Sequence, residues 1–349
     1  MTLERINRLQ LQIKPGQHFY VTDLINIRYL TGFTGSNAAL LVSDSNAILA
    51  TDSRYEIQAA AQVAELPAVI GRNFPELLLS KLQKSEVFVE GGNLSIDAYQ
   101  NLVASLDHQF SSSVGVIEAL RVVKDESEIE LIKRACEIST KAYLDVIETV
   151  RVGQSEKFIR NVLEQRVREY GADDIAFASI VASGPNSAIP HHEPTDRELQ
   201  SGDFLKIDFG AKVDGYHADC TRTAVVGKPA DWQSELHSAV TSAQEAGRNT
   251  IQSGIQFTDV EKAVNQSLTD SGYREYFTHG LGHGVGLAIH EDPFFGRDET
   301  AKIASNTVIT IEPGAYLKDK GGVRVEDTIV VISEGYVNLT NLPYELLEL

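Results

Sequence analysis

The sequence predicts an α+β fold in two units, an N-terminal α/β unit over residues 1–120 and a larger one over residues 124–349. Three observations predict it. Short β-rich segments alternate with helically spaced ones as far as about residue 120, and the stretch from Arg121 to Ser127 marks a boundary. Beyond it, pairs of helical patterns precede strand patterns twice over. Gly153 and Gly254, like Gly171 and Gly272, stand 101 residues apart, so the second unit reads as two copies of one scheme related by a pseudo-two-fold axis, with a coincidence of glycines as the alternative. The third observation is length: 349 residues suffice for two separate cores.

Composition narrows the function classes. A net charge of -18 argues against nucleic acid or an anionic membrane as partner and leaves room for bound cations. No apolar run is long enough to span a bilayer, and the N-terminus MTLERINRLQ has no signal-peptide core, so a soluble cytoplasmic protein is expected. Cys136 and Cys220 are expected as small buried hydrophobes rather than a disulfide.

In the first unit, strands are expected at 18–22, 39–42, 47–51 and 86–90, and helices at 74–82 and 96–106. The glycine-rich turn Thr31-Gly32-Phe33-Thr34-Gly35 lacks the strand and helix setting of a dinucleotide site and the lysine of a P-loop, so a phosphate reading is set aside. In the second unit, Asp125 or Ser127 can cap a long helix whose apolar stripe is Ile129, Ile132, Cys136, Tyr143 and Val146. A helix over 156–170 ends at Gly171. A third over 231–251 leads to Gly254, and Thr258-Asp259-Val260-Glu261 is expected as the capping box of a fourth that ends at Gly272.

The residues that carry chemistry begin with FLKIDFGAKVDGYHADCTRTAV, 204–225. Alternating runs flank Asp214-Gly215, a two-residue hairpin turn. If Val213 pairs with Tyr216, Asp208 lies opposite Thr221 and Asp219 opposite Gly210, and both carboxylates leave one face as diagonal neighbours. Such crowding raises the cost of ionising both acids unless a cation sits between them. Glu312 is expected at the tip of a strand over 307–312, exposed by the turn at Pro313-Gly314. A strand over 323–331 puts Arg324, Glu326 and Thr328 on one face; taken alone, Glu326 in mid-strand also fits a solvated edge residue. His279 and His283 have helical spacing, but the glycines around them make a helix costly and no glutamate stands at 280, so they are placed on an irregular loop and strand. The pair His191-His192, in a turn-rich loop, reads as surface-exposed. Four acids and one imidazole make a hard, oxygen-rich set suited to two divalent ions that share and activate a water. Mn²⁺, Co²⁺, Zn²⁺ and Fe²⁺ all tolerate such ligands and the residues do not choose among them; Mn²⁺ is taken as the first expectation.

IDFGAKVDGYHADCTRT, HGLGHGVGLAIHE, TIEPGAY and GGVRVEDT, in this order, resemble the motifs of the pita-bread metallopeptidases: aminopeptidase P, Xaa-Pro dipeptidase (prolidase) and methionine aminopeptidase. VTDLINIRYLTGFTGSNAALLV and ATDSRYEIQA resemble the creatinase-type N-terminal domain, and LRVVKDESEIELIKRA the segment joining it to the catalytic domain. The resemblance implies a pita-bread fold, metal ligands at Asp208, Asp219, His283, Glu312 and Glu326, and substrate-contacting histidines at His191 and His290. It implies that Glu312 also moves a proton, that Thr221 orients Asp208, and that His279 and Arg324 support the site. It further implies a homodimer acting on peptides with proline in second place, through a hydroxide bridging two metals. The chain departs from the family's frequent Gly-Met before the EPG strand, having Asn306-Thr307, and asparagine tolerates the same left-handed backbone. Creatinase shares the fold without the ligand set, which argues against creatine hydrolysis. The expected activity is that of an Xaa-Pro aminopeptidase; the alternatives are a dipeptidase restricted to Xaa-Pro and, more remotely, a non-catalytic pita-bread binding protein.

Overall fold

The structure, a computed structural model, describes residues 2–297 and 300–349. The chain divides into two compact units, Met1–Arg121 and Val122–Leu349.

In the first unit a six-stranded mixed sheet runs in the order Ala68–Ile70, Ala47–Thr51, Ala38–Ser43, Gln17–Val21, Glu86–Glu90, Gln109–Ser113. The expected strands are present; Ala68–Ile70, two of whose residues are exposed, and the serine-rich Gln109–Ser113 were not anticipated, because neither shows an apolar alternation. Helices Phe74–Leu79 and Ile96–Ser105 cover the sheet, and Leu78, Leu79 and Leu102 bury themselves against Tyr20, Leu41, Val87 and Val89.

The second unit contains the expected duplication. Helices Glu126–Ile147 and Glu156–Glu169 in the first copy answer to Asp231–Thr250 and Phe257–Asp270 in the second. Gly153 and Gly254, and Gly171 and Gly272, all take positive φ, the backbone state in which a glycine relieves the clash of a Cβ. The strand order Cys220–Val225, Phe204–Phe209, Ile180–Ser183 is matched by Asp327–Ile332, Val308–Ile311, His283–Gly284 within a five-stranded sheet. Tyr143 stacks on Phe209 with ring centroids 5.2 Å apart, Val260, Val264 and Leu268 pack with Ile309, Ile311 and Ile329, and Leu236 and Val240 of the second copy also pack with Phe204 and Val225 of the first.

Local sequence accounts for most helix ends. The Asp125 carboxylate accepts from Glu128 N while the Glu128 carboxylate accepts from Asp125 N, a reciprocal cap. The expected cap at Thr258 is displaced: the N-cap is Gln256, the position that Ser155 holds in the first copy, and Thr258 lies within the first helical turn. Gln256 bridges Lys302 as Ser155 bridges Glu198, so pairing with a strand-like segment overrides the local capping signal. Asn306 has φ 63, the left-handed state expected of it. Both cysteines are free and buried. Among the described residues, no helix is long and apolar enough to cross a membrane.

Candidate active site

The hairpin has the register expected of it. Val213 pairs with Tyr216 and Asp208 with Thr221. Between these two pairings Gly210 faces Ala218 so closely that a Cβ there would strike the Ala218 carbonyl oxygen, which explains the glycine. Strand Phe204–Phe209 is buried on both faces, with Phe204, Lys206 and Asp208 on one side. The strand expected over 323–331 is broken: Gly321–Arg324 pairs with Gly314–Leu317, and Asp327–Ile332 pairs with Val308–Ile311. Glu326 sits at the break and bridges Thr221, so it joins the two copies instead of lying in mid-strand, and at 1% exposure it is no edge residue.

Asp208, Asp219 and Glu326 bring one carboxylate oxygen each within 4.8 Å of one another, and so do His283, Glu312 and Glu326 with one ligand atom each. Glu326 belongs to both groups. The His283 Nδ1–H faces the Gly284 carbonyl at 3.1 Å, which leaves the Nε2 lone pair 3.5 Å from both Asp219 Oδ2 and Glu312 Oε1. Thr310 Oγ1 accepts from His283 N and donates to Glu312 Oε1, fixing these two side chains relative to each other.

Burial and mutual repulsion govern the titration of these groups. Burial first, then Glu326 and Asp208, push the Asp219 carboxyl well above its usual range. Burial and then Glu312 do the same to Glu326. Glu312 rises to about 7, through burial and against the pull of Arg324. Burial holds His283 down at about 4, so its imidazole is a neutral donor at physiological pH. Asp208 Oδ1 is buried and finds no hydrogen-bond partner among the described residues. Acids this close, an unsatisfied carboxylate oxygen and a lone pair aimed at them fit divalent cations with oxygen and nitrogen ligands.

A buried cationic frame holds the acids. Arg324 donates through Nη2 to Asp208, through Nε to Thr221 Oγ1 at 3.0 Å, and through Nη1 to Tyr316 OH and the Pro190 carbonyl. Thr221, expected to orient Asp208, is its partner across the strand ladder; its side chain donates to Glu326 Oε2 at 2.7 Å and accepts from Arg324, which also holds Asp208. His279 hydrogen-bonds Tyr316 OH at 2.8 Å and lies against the acids, its Nδ1 4.0 Å from Glu312. Lys206, fully buried, donates to the Ile189 carbonyl at 2.7 Å and to the Pro190 carbonyl; burial, then Arg324, press its pKa well below the ordinary lysine value.

The acids open into a cavity of about 1050 Å³ that His191, His279, His290, Phe177 and Phe294 also line. The His290 ring stands edge-on to His283 at 4.4 Å. Lys157, Arg160 and Arg297 line the same cavity. All ten residues singled out in the sequence therefore lie in or directly behind one pocket. His192 departs from expectation: it is buried and bonded to Glu156, while His191 is exposed to the cavity. Tyr316, Lys206, Thr310 and Glu156 were missed. For Lys206 a signal existed, since the period of two puts it on the Asp208 side of its strand. Tyr316 lies in the TIEPGAY stretch with nothing local to single it out.

A pocket of buried carboxylates and neutral imidazoles within a duplicated α+β unit defines a metal-dependent hydrolase. Residues 130–333 match the model of metallopeptidase family M24, and residues 5–123 match the creatinase/prolidase N-terminal domain. The chain belongs to metallopeptidase family M24, with the creatinase-type N-terminal domain and the pita-bread fold. It is 33% identical to the Xaa-Pro dipeptidase of Pyrococcus furiosus over 94% of each chain. A solved Xaa-Pro dipeptidase from Bacillus anthracis superposes with a TM-score of 0.96 at 34% identity, covering 100% of both chains. An X-Pro aminopeptidase from Thermotoga maritima gives a TM-score of 0.91 at 34% identity, over 98% of this chain and 100% of that one.

Proposed function

We propose that this hydrolase is an Xaa-Pro dipeptidase, cleaving the bond before proline in dipeptides. This reverses the expectation of an aminopeptidase P activity. Relatives described as Xaa-Pro dipeptidases support it, as does the cationic lining of the cavity. Lys157, Arg160 and Arg297 offer positive charge in the same cavity as the acid cluster, and the free carboxylate of a dipeptide is the substrate group that needs it. A longer peptide lacks a carboxylate at that place. The Thermotoga neighbour favours a second reading, an Xaa-Pro aminopeptidase that accepts longer chains.

In this reading Asp208, Asp219, His283, Glu312 and Glu326 hold two divalent ions, manganese being the first candidate. The ions supply Lewis-acid polarisation of the scissile carbonyl and a water of lowered pKa. The chain's own groups do the rest. His191 and His290 face the cavity and donate to the carbonyl oxygen as charge develops on it. Glu312, which faces the same cavity beside His283, takes the proton of the attacking water and returns it to the departing proline nitrogen. Arg324, tied to Asp208, Thr221 and the Pro190 carbonyl, keeps these groups in register.

The test compares a Xaa-Pro dipeptide, its C-terminal amide and a Xaa-Pro-Xaa tripeptide with the manganese-loaded protein and with Arg297→Ala. A dipeptidase prefers the free dipeptide over both others and loses about tenfold in kcat/KM on that substrate alone when Arg297 is truncated. Equal turnover of dipeptide and tripeptide, with no selective loss in the variant, selects the aminopeptidase.

A further inference from the structure

His191 reaches the cavity from a segment that has no regular strand around it, and its ring makes no hydrogen bond among the described residues. Its direction is therefore set by the backbone that carries it. On one side, Lys206 and Arg324 donate to the carbonyls of Ile189 and Pro190. On the other side the anchor is Glu156, the first residue of helix Glu156–Glu169. This side chain is wholly buried, yet it is absent from the lining of the cavity.

Glu156 accepts six hydrogen bonds, and all come from residues 183–195. Oε1 receives Ser183 N at 2.7 Å, Ser183 Oγ at 2.8 Å and Asn186 Nδ2 at 3.0 Å. Oε2 receives His192 Nε2 at 2.8 Å, Thr195 N at 2.9 Å and Thr195 Oγ1 at 2.7 Å. A carboxylate is costly to bury, and here the loop's donors, with Arg197 behind the Ser183 hydroxyl, offset that cost. Burial alone would raise its pKa; the bonds from His192, Asn186 and Thr195 outweigh burial and hold it at about 2, so the group stays an acceptor for all six donors at working pH. Both oxygens are saturated, and the two ends of the loop that flank His191 are drawn to one point.

We propose that Glu156 is a positioning residue for the reaction, fixing the segment 183–195 and through it the direction of the His191 imidazole. The inference rests on the reading of His191 as a group that stabilises the developing oxyanion. It assigns a function to a carboxylate that touches neither substrate nor the acid cluster. Replacing it with glutamine keeps the shape but turns two N–H bonds toward donors on one side of the site, releasing three of the six contacts.

The experiment is a double-mutant cycle on the manganese-loaded protein with a Xaa-Pro dipeptide, reading kcat, KM and bound metal for Glu156→Gln, His191→Ala and the pair. Glu156→Gln is expected to lower kcat about tenfold or more, with KM and metal content within about twofold of the parent. The pair is expected to match His191→Ala alone within about threefold, because a group acting through another adds nothing once that other is gone. Thr195→Val, which removes one of the six bonds, provides the same cycle in milder form if the glutamine variant does not fold. Multiplicative losses in the pair, or a parental kcat for Glu156→Gln and Thr195→Val, overturn the inference. A parental kcat for His191→Ala overturns the role given to that histidine, and the inference with it.

Discussion

Metal loading should be linked to protons, and the geometry sets the size of the linkage. In the metal-free protein the Glu312 carboxyl titrates at about 7 because it is buried beside Asp208, with Arg324 only partly offsetting the cost. By simple titration about nine-tenths of it is protonated at pH 6, about half at pH 7 and about one-tenth at pH 8. A cation needs the ionised form, so loading expels that proton, and affinity rises as pH rises through about 7. Asp219 and Glu326 are displaced in the same direction and add to the release, whereas His283, at about 4, is already neutral and contributes none. At pH 6 the release should be about 0.9 proton or more, equivalent to about a tenfold gain in affinity per pH unit, and the Glu312 share of it should shrink steadily toward pH 8. Calorimetric titration of Mn²⁺ in buffers of differing ionisation enthalpy counts the protons directly. A release below about half a proton at pH 6, or one independent of pH, would refute the reasoning that crowding without cations holds these acids protonated.

Three further outcomes are expected. Asp219→Asn should lose turnover to background and retain one metal ion or none by elemental analysis; because Asp219 is repelled by Glu326 and Asp208, the metal-free variant should at the same time be more stable at pH 8 than the metal-free parent. An active variant with full metal content would remove Asp219 from the ligand set. Gly210→Ala drives a Cβ against the Ala218 carbonyl and should cost about 2 kcal/mol in denaturant unfolding while lowering bound metal, since it pushes apart the chain that carries Asp208 and the residue preceding Asp219. An unchanged midpoint would contradict the close approach. His237 is held at about 4, by burial first and Arg222 second, so the unfolded chain takes up its proton before the native one does. Its contribution to stability is complete above about pH 6.5 and is lost as pH falls toward 4, about 3 kcal/mol in all. His237→Gln should flatten the fall in melting temperature over that window, and an unaltered pH profile would count against it.

Some of this was legible because it depended on near neighbours. The turn at Asp214-Gly215 fixes the pairing of Val213 with Tyr216, and a two-residue period then carries that register to Asp208 and Thr221 without help from the rest of the chain. The Asp125 cap is equally local. The cap at Thr258 failed because a distant strand-like segment at Lys302 competes for the backbone at Gln256. His192 looked exposed because its partner, Glu156, is 36 residues away. The motifs describe the acids and say nothing of Lys157, Arg160 and Arg297, which line the same cavity.

By itself, the sequence determined the two-unit α+β plan, the duplication with its paired glycines, and the hairpin that sets two aspartates side by side. All three follow from periodicity, turn chemistry and backbone steric limits acting over a few residues. Only the tertiary structure decided that Glu326 would stand at a strand break shared by both copies, that Arg324 would span Asp208, Thr221 and the Pro190 carbonyl, and that Lys206 would be buried among carbonyls. Such charges persist in the interior only where groups from remote parts of the chain meet to balance them, and no local pattern records that meeting.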